Sequence, residues 1–206
     1  MLVTNKGRIP INKYLDFVSL CAHAGITSVQ LREKNLDKKE LVIFGQNLQE
    51  VLQPLNIPLI VNDDLLLAKK INAAGVHLGE TDGDILQARI LLGLKKFIGL
   101  TVNSIEQLLH ANSLPIDYIG IGAVFATKNK KDVKNIWGTE MLKKLIMLTK
   151  HPVVAIGGID VANIESVVAA GAHGIAAIDA FHSAKDPAAT AKILFNAIRF
   201  LSKPKI

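Results

Sequence analysis

One cysteine stands in 206 residues. Cys21 lies within an apolar helical pattern, so a disulfide framework is excluded and the thiol reads as buried and inert, not as a nucleophile. No apolar run approaches the roughly 18 residues of a membrane span. Met1-Leu2-Val3-Thr4 enters a strand-like stretch at once, without a basic segment and a long apolar stretch, so no secretory signal is expected. Together these absences point to a soluble protein of the cytoplasm. Aromatic residues make up only 5% of the chain, and no stacking motif of the RNA-recognition type is present. The net charge of +6 suits anionic small substrates better than nucleic acid, because the lysines lie mainly on loops and helix faces. No linker, low-complexity tract or second-domain boundary interrupts the chain, so residues 1–206 read as one domain. The sequence leaves room for a homo-oligomer.

What is present is an alternation. Short, nearly continuous apolar runs at Met1–Thr4, Ser28–Arg32, Leu59–Asn62, Gly75–Leu78, Phe97–Thr101, Tyr118–Gly122, Val153–Gly157 and Gly174–Ile178 have the pattern of parallel strands buried on both faces. Between them, apolar residues recur at helical spacing, as in Leu41, Phe44, Leu48 and Val51. Asn12, Asp37, Ser104 and Asp160 or Asn163 are candidate N-caps, and Gly25, Gly75 and Gly171 candidate helix ends. Eight alternations allow a closed barrel or a doubly wound open sheet. Polar residues follow nearly every strand, and no Gly-x-Gly-x-x-Gly turn follows the first. Both observations favour a single (β/α)8 TIM barrel.

The strand exits carry anion and metal chemistry. After the second strand, alternation points Gln30, Arg32 and Lys34 the same way. Arginine offers a planar fork for phosphate oxygens, and lysine adds a point charge. A plain Arg–Glu pair is the bland reading. The third and fourth strands end in Asn62-Asp63-Asp64 and Gly79-Glu80-Thr81-Asp82. Two acidic clusters on neighbouring strands suit Mg²⁺, which binds one or two carboxylates and completes its shell with water and substrate phosphate. Asp64 reads as a helix cap, and Asp63 with Asp82 as the metal pair. His77, among apolar residues, reads as a hydrogen-bonded core histidine. The sixth strand leads from Gly122 through Thr127 and Lys131 into a lysine-rich loop that runs to Gly138 and could close over an anion. The paired Gly157-Gly158 lets backbone N–H groups approach a phosphate.

Taken in order, Gln-Leu-Arg-Glu-Lys, Val-Asn-Asp, Gly-Val-His-Leu-Gly-x-x-Asp, Ile-Gly-x-Thr, the Thr-x-x-Lys loop and Ala-Ile-Gly-Gly-Ile resemble thiamine-phosphate synthases over nearly the whole chain. The resemblance implies a Mg²⁺-dependent transferase acting on phosphorylated small molecules. It would join a pyrimidine pyrophosphate to a thiazole phosphate, giving thiamine phosphate and pyrophosphate. It also implies residue roles. Gln30 would contact the pyrimidine, and Arg32, Lys34, Asn62 and Lys130 the pyrophosphate. Asp63 and Asp82 would bind Mg²⁺. Thr101, where the family usually has serine, would stand near the reacting carbon. Thr127, Asn129, Gly158, Ile178 and Asp179 would form the thiazole phosphate site. Asn129 and Asp179 replace a usual threonine and serine. A carboxylate beside a phosphate is unfavourable unless it is turned away, paired or protonated. Two alternatives share the fold: a thiazole tautomerase-like isomerase, and a non-catalytic barrel that binds a thiamine precursor.

Overall fold

The apolar runs form one parallel sheet in chain order, and the sheet closes on itself. The computed structural model describes residues 1–129 and 135–201. The strands are β1 (Leu2–Val3), β2 (Val29–Leu31), β3 (Leu59–Asn62), β4 (Gly75–Leu78), β5 (Phe97–Val102), β6 (Tyr118–Ile121), β7 (Val153–Ile156) and β8 (Gly174–Ala176). Between and after them run α1 (Ile11–His23), α2 (Lys38–Leu52), α3 (Leu65–Lys70), α4 (Ile85–Leu92), α5 (Ile105–Ala111), α6 (Gly138–Leu148), α7 (Ile164–Ala169), α8 (Asp179–His182) and α9 (Pro187–Leu201). Each strand pairs in parallel with the next, and a bridge between Leu2 and Ala177 joins β8 to β1. This is the expected (β/α)8 barrel.

The ladder is shorter than several of the apolar runs. Chains diverge at the exits, and side chains take over the bonding there: the Arg32 N–H donates to the Thr4 hydroxyl at 2.9 Å. Two cores result. The larger lies between sheet and helices. A small one fills part of the barrel, with Val3, Ala176 and Ile178 packed against Met1, Val154 and Ile156.

Helix starts follow local chemistry. Asp37 forms a full capping box with Glu40 on α2, and Ser104 caps α5. Asn163 stands at the N-cap position of α7 without capping it: its side chain accepts the Asp160 N–H, and Asp160 accepts the Ala162 N–H, both in the preceding turn. Asn12 does not cap. It lies inside α1, which follows Pro10, and no side chain caps that end. Proline presets its own φ and can start a helix without a side-chain acceptor. Gly25 and Gly171 take left-handed φ of 123° and 98° as helix ends. Gly75 does not: Asn72, at φ 53°, makes that turn. Gly75 opens β4, where any Cβ would collide with the Phe97 carbonyl.

Arg89, on α4, staples the end of the barrel opposite the strand exits. Its guanidinium donates to the carbonyls of Gly93, Lys96 and Pro115 and pairs with Asp117 at 2.7 Å. Asp117 in turn accepts the Ile98 N–H. Arg89→Ala should therefore cost about 2 kcal/mol, a fall in Tm of ~4–8 °C, because several carbonyls lose a charged donor at once. Turnover at 25 °C should be unchanged, as the site lies at the other end of the strands. Thermal melting with a parallel activity assay checks both.

Candidate functional site

The exit of β2 is held from β1. Thr4 is fully buried and fixes the Arg32 backbone. Gln30 is buried inside the barrel, its amide 3.7 Å from the Met1 sulfur. Glu33 accepts the Lys6 N–H at 2.7 Å and forms no ion pair with Arg32 among the described residues, so the bland Arg–Glu reading fails. Arg32 instead reaches the Asn129 carbonyl at 3.5 Å, the outer limit of a hydrogen bond.

The acids meet these cations. Asp64 caps α3 through the Leu67 N–H, as expected. Asp84, not Asp82, caps α4. Asp82 folds back to accept the Gly79 N–H at 2.7 Å, in space that a Cβ at Gly79 would enter. Asp63 adopts φ 65°, strained for a residue with a side chain, and its N–H donates to the His77 carbonyl. Burial pushes the Asp63 carboxyl up to about 6, and a hydrogen bond and charge repulsion from Asp82 add to the shift. Arg32 and Lys34 pull it the other way, which places both cations within electrostatic range. Two adjacent carboxyls competing for a proton fit a hard divalent ion with few protein ligands. No group of three or more metal-type side chains occurs among the described residues.

A raised carboxyl pKa makes the folded state bind its proton more tightly than the unfolded state does. The ionised Asp63 is therefore destabilising above about pH 6, and the penalty disappears as pH falls towards 4. Without metal, Asp63→Asn should raise Tm at pH 7.5 by ~2–4 °C, about 1 kcal/mol after a discount for solvent screening of a carboxyl that is only partly withdrawn from water. The gain should vanish near pH 4. Melts of both proteins across that range, in chelator, test the sign.

Thr101 lies at the exit of β5, with its hydroxyl oxygen 2.7 Å from His77 Nε2. His77 is buried, as expected of a core histidine. Asn62 ends β3 beside Asp63.

On the far side, Gly157 and Gly158 have φ of 101° and 63°. Side chains there would strike Ala123, Phe125 and Ala126, so the glycines let the β6 loop lie against the β7 exit. The loop returns on itself where the Trp137 and Gly138 N–H groups donate to the Ala123 and Val124 carbonyls. Thr127 accepts the Asn129 N–H at 3.3 Å. The Asn129 amide donates to Asp179 at 2.7 Å. The two residues that depart from the resembled pattern thus pair with each other, and the Asp179 carboxylate is hydrogen-bonded. Ile178 is buried beneath it. Lys130 lies outside the described residues.

Sequence reading missed what supports α8. His182 Nδ1 lies 2.8 Å from the Ile178 carbonyl and Nε2 2.7 Å from the Tyr14 hydroxyl, which accepts the Asn5 N–H. Burial lowers the His182 pKa, favouring the neutral ring this chain of bonds uses. No local motif announces it, since Tyr14 and His182 stand 168 positions apart. Cys21 is buried and its thiol is pushed up to about 12 by burial, which confirms an inert thiol. A cavity of about 580 Å³ lies at the opposite end of the barrel, lined by Met1, Pro58, Phe97, Phe195 and others, and contains none of the candidate residues.

Residues 1–181 match the family model described as thiamine monophosphate synthase. The chain belongs to this family. A thiamine-phosphate synthase from Chlamydia abortus is 54% identical over 194 residues, covering 94% of this chain and 92% of the relative. One from Vibrio campbellii is 41% identical over 182 residues, covering 88% and 89%. The solved thiamine phosphate pyrophosphorylase from Pyrococcus furiosus superposes with a TM-score of 0.87 at 30% identity, over 98% of this chain and 96% of that one. A 3-hexulose-6-phosphate synthase superposes at 0.71 with 19% identity, a likeness of fold alone. No helix among the described residues is long and apolar enough to cross a membrane.

Proposed function

We propose that this family member condenses 4-amino-2-methyl-5-hydroxymethylpyrimidine pyrophosphate with hydroxyethylthiazole phosphate, giving thiamine phosphate and pyrophosphate. The observation that carries the site assignment is the meeting of Arg32 and Lys34 with the Asp63–Asp82 pair across the exits of β2, β3 and β4. Cations and a carboxylate pair at one place suit a metal-bound pyrophosphate better than either ion alone.

Asp63 and Asp82 would hold Mg²⁺, which when bound supplies positive charge to the leaving group. Arg32 and Lys34 would neutralise the remaining charge, with Asn62 and Lys130 as further contacts. Gln30, buried below, would orient the pyrimidine. The benzylic-type C–O bond breaks, and its electron pair leaves with the pyrophosphate oxygen. The thiazole nitrogen then uses its lone pair to form the new C–N bond. No proton need be removed, so a site without a general base is adequate. Thr127, Asn129, Gly158, Ile178 and Asp179 would hold the thiazole phosphate. Asn129 occupies one side of the Asp179 carboxylate, which lessens its conflict with an anion. A single buried thiol suits the reducing cytoplasm.

High identity to synthases over most of the chain disfavours the tautomerase-like and non-catalytic readings. Purified protein incubated with both substrates, with and without Mg²⁺, tests the reading. Metal-dependent thiamine phosphate is expected. Folded protein that yields none over a wide range of thiazole phosphate would overturn it.

A further inference from the structure

Three hydrogen-bonding side chains form a row inside the barrel. The Tyr118 hydroxyl, on β6, lies 3.0 Å from His77 Nδ1 on β4. His77 Nε2 lies 2.7 Å from Thr101 Oγ1 on β5. Missing side chains make the space. A Cβ at Gly99 would collide with the Tyr118 ring and His77 Nδ1, and one at Gly120 would come within 3.0 Å of His77 Cε1. Glycine weakens a strand interior unless something needs the room it leaves. Here two glycines on adjacent strands frame one imidazole.

The row has a direction. Tyr118 is half-buried, and desolvation of its hydroxyl raises its pKa, so it remains a phenol. A hydroxyl turned into the barrel places its proton on the acceptor it faces. His77 Nδ1 is its hydrogen-bonding partner among the described residues. With Nδ1 accepting, a neutral ring carries its proton on Nε2 and donates to Thr101. The Thr101 oxygen is then occupied by a donor, and its own proton is left to point at a ligand. The opposite tautomer would turn Thr101 round and present its oxygen as an acceptor.

We propose that His77 is a positioning residue which, oriented by Tyr118, holds Thr101 as a hydrogen-bond donor towards the departing pyrophosphate oxygen. The proposal rests on the reading that Thr101 stands beside the reacting carbon. No proton is transferred; the row sets which way an existing hydroxyl points. A donor aimed at developing negative charge acts mainly on the chemical step. The effect therefore belongs in kcat and not in KM.

The test is a double-mutant cycle on the metal-loaded enzyme. Thr101→Ala should lower kcat about 100-fold, as removal of one oxyanion donor does. His77→Gln should lower it ~10–30-fold, with KM for either substrate within about twofold. The double variant should be no slower than Thr101→Ala, because the effect of His77 on the chemical step runs through that hydroxyl. Penalties that multiply would overturn the proposal. Wild-type kcat in Thr101→Ala would instead remove the underlying reading of Thr101, a separate failure. Tyr118→Phe deletes one oxygen and guards against misfolding of the histidine variant; it should slow kcat ~5–10-fold and add nothing to Thr101→Ala. Nitrogen NMR of histidine-labelled wild type should show His77 protonated at Nε2. An Nδ1-protonated ring would also overturn the proposal.

Discussion

Arg32→Ala is expected to lower kcat/KM by about 10³-fold, with both folding and Mg²⁺ affinity retained. The guanidinium is not spent on structure: Glu33 is engaged by the Lys6 backbone, and the Arg32 main chain is held by Thr4. Its side chain bears on the Asp63 carboxyl and reaches towards Asn129. A planar fork in that place can take two oxygens of a pyrophosphate as its charge grows, and alanine offers neither charge nor fork. Arg32→Lys separates the two contributions. It keeps the charge and should recover only part of the rate, because an ammonium cannot bind two oxygens in parallel. Pyrophosphate release measured over a range of pyrimidine pyrophosphate decides the matter, and unchanged turnover in Arg32→Ala would remove the residue from the site.

Asp82→Ala should be as damaging, about 10³-fold in kcat, with loss of the Mg²⁺ binding heat in calorimetry. The comparison that gives this force is with its neighbours in sequence. Asp64 and Asp84 each accept a backbone N–H at a helix start. Their alanine variants should lose about 1 kcal/mol of stability and keep their turnover. Asp82 caps no helix, and its bond to Gly79 bends the carboxylate back beside Asp63. A stable Asp82→Ala protein that still turned over and still bound Mg²⁺ would leave the acidic cluster without a metal role.

The barrel was legible because each strand run is short, apolar and followed by polar residues, a pattern set by burial on both faces. Asp37 and Ser104 were legible for a similar reason, since capping is decided within four residues. Asn12 was misread because Pro10 starts α1 by backbone restriction alone. Gly75 was misread because its role is set by Phe97 on another strand. The same distance separates the legible from the hidden in the site. Arg32, Lys34, Asp63 and Asp82 are marked by their place at strand exits. That Asn129 donates to the Asp179 carboxylate depends on a contact across 50 positions, which no single segment contains. The tie between Tyr14 and His182 was hidden for the same reason.

The joint between β8 and β1 has a consequence for how the barrel breathes. β1 is two residues long and meets β8 through the Leu2–Ala177 bridge, with three hydrogen bonds: Val3 N–H to Ala177, Ala177 N–H to Met1, and the Met1 ammonium to Ile175. β4 and β5 share four register pairs. Local opening starts where the fewest bonds have to part. In deuterated water, the amides of Val3 and Ala177 should exchange well before those of the β4–β5 ladder. Asp179 and α8 follow this seam directly, whereas Asp63 and Asp82 hang from the strands opposite it. The Asp179 side of the mouth can therefore loosen while the exits that carry Asp63 and Asp82 stay taut.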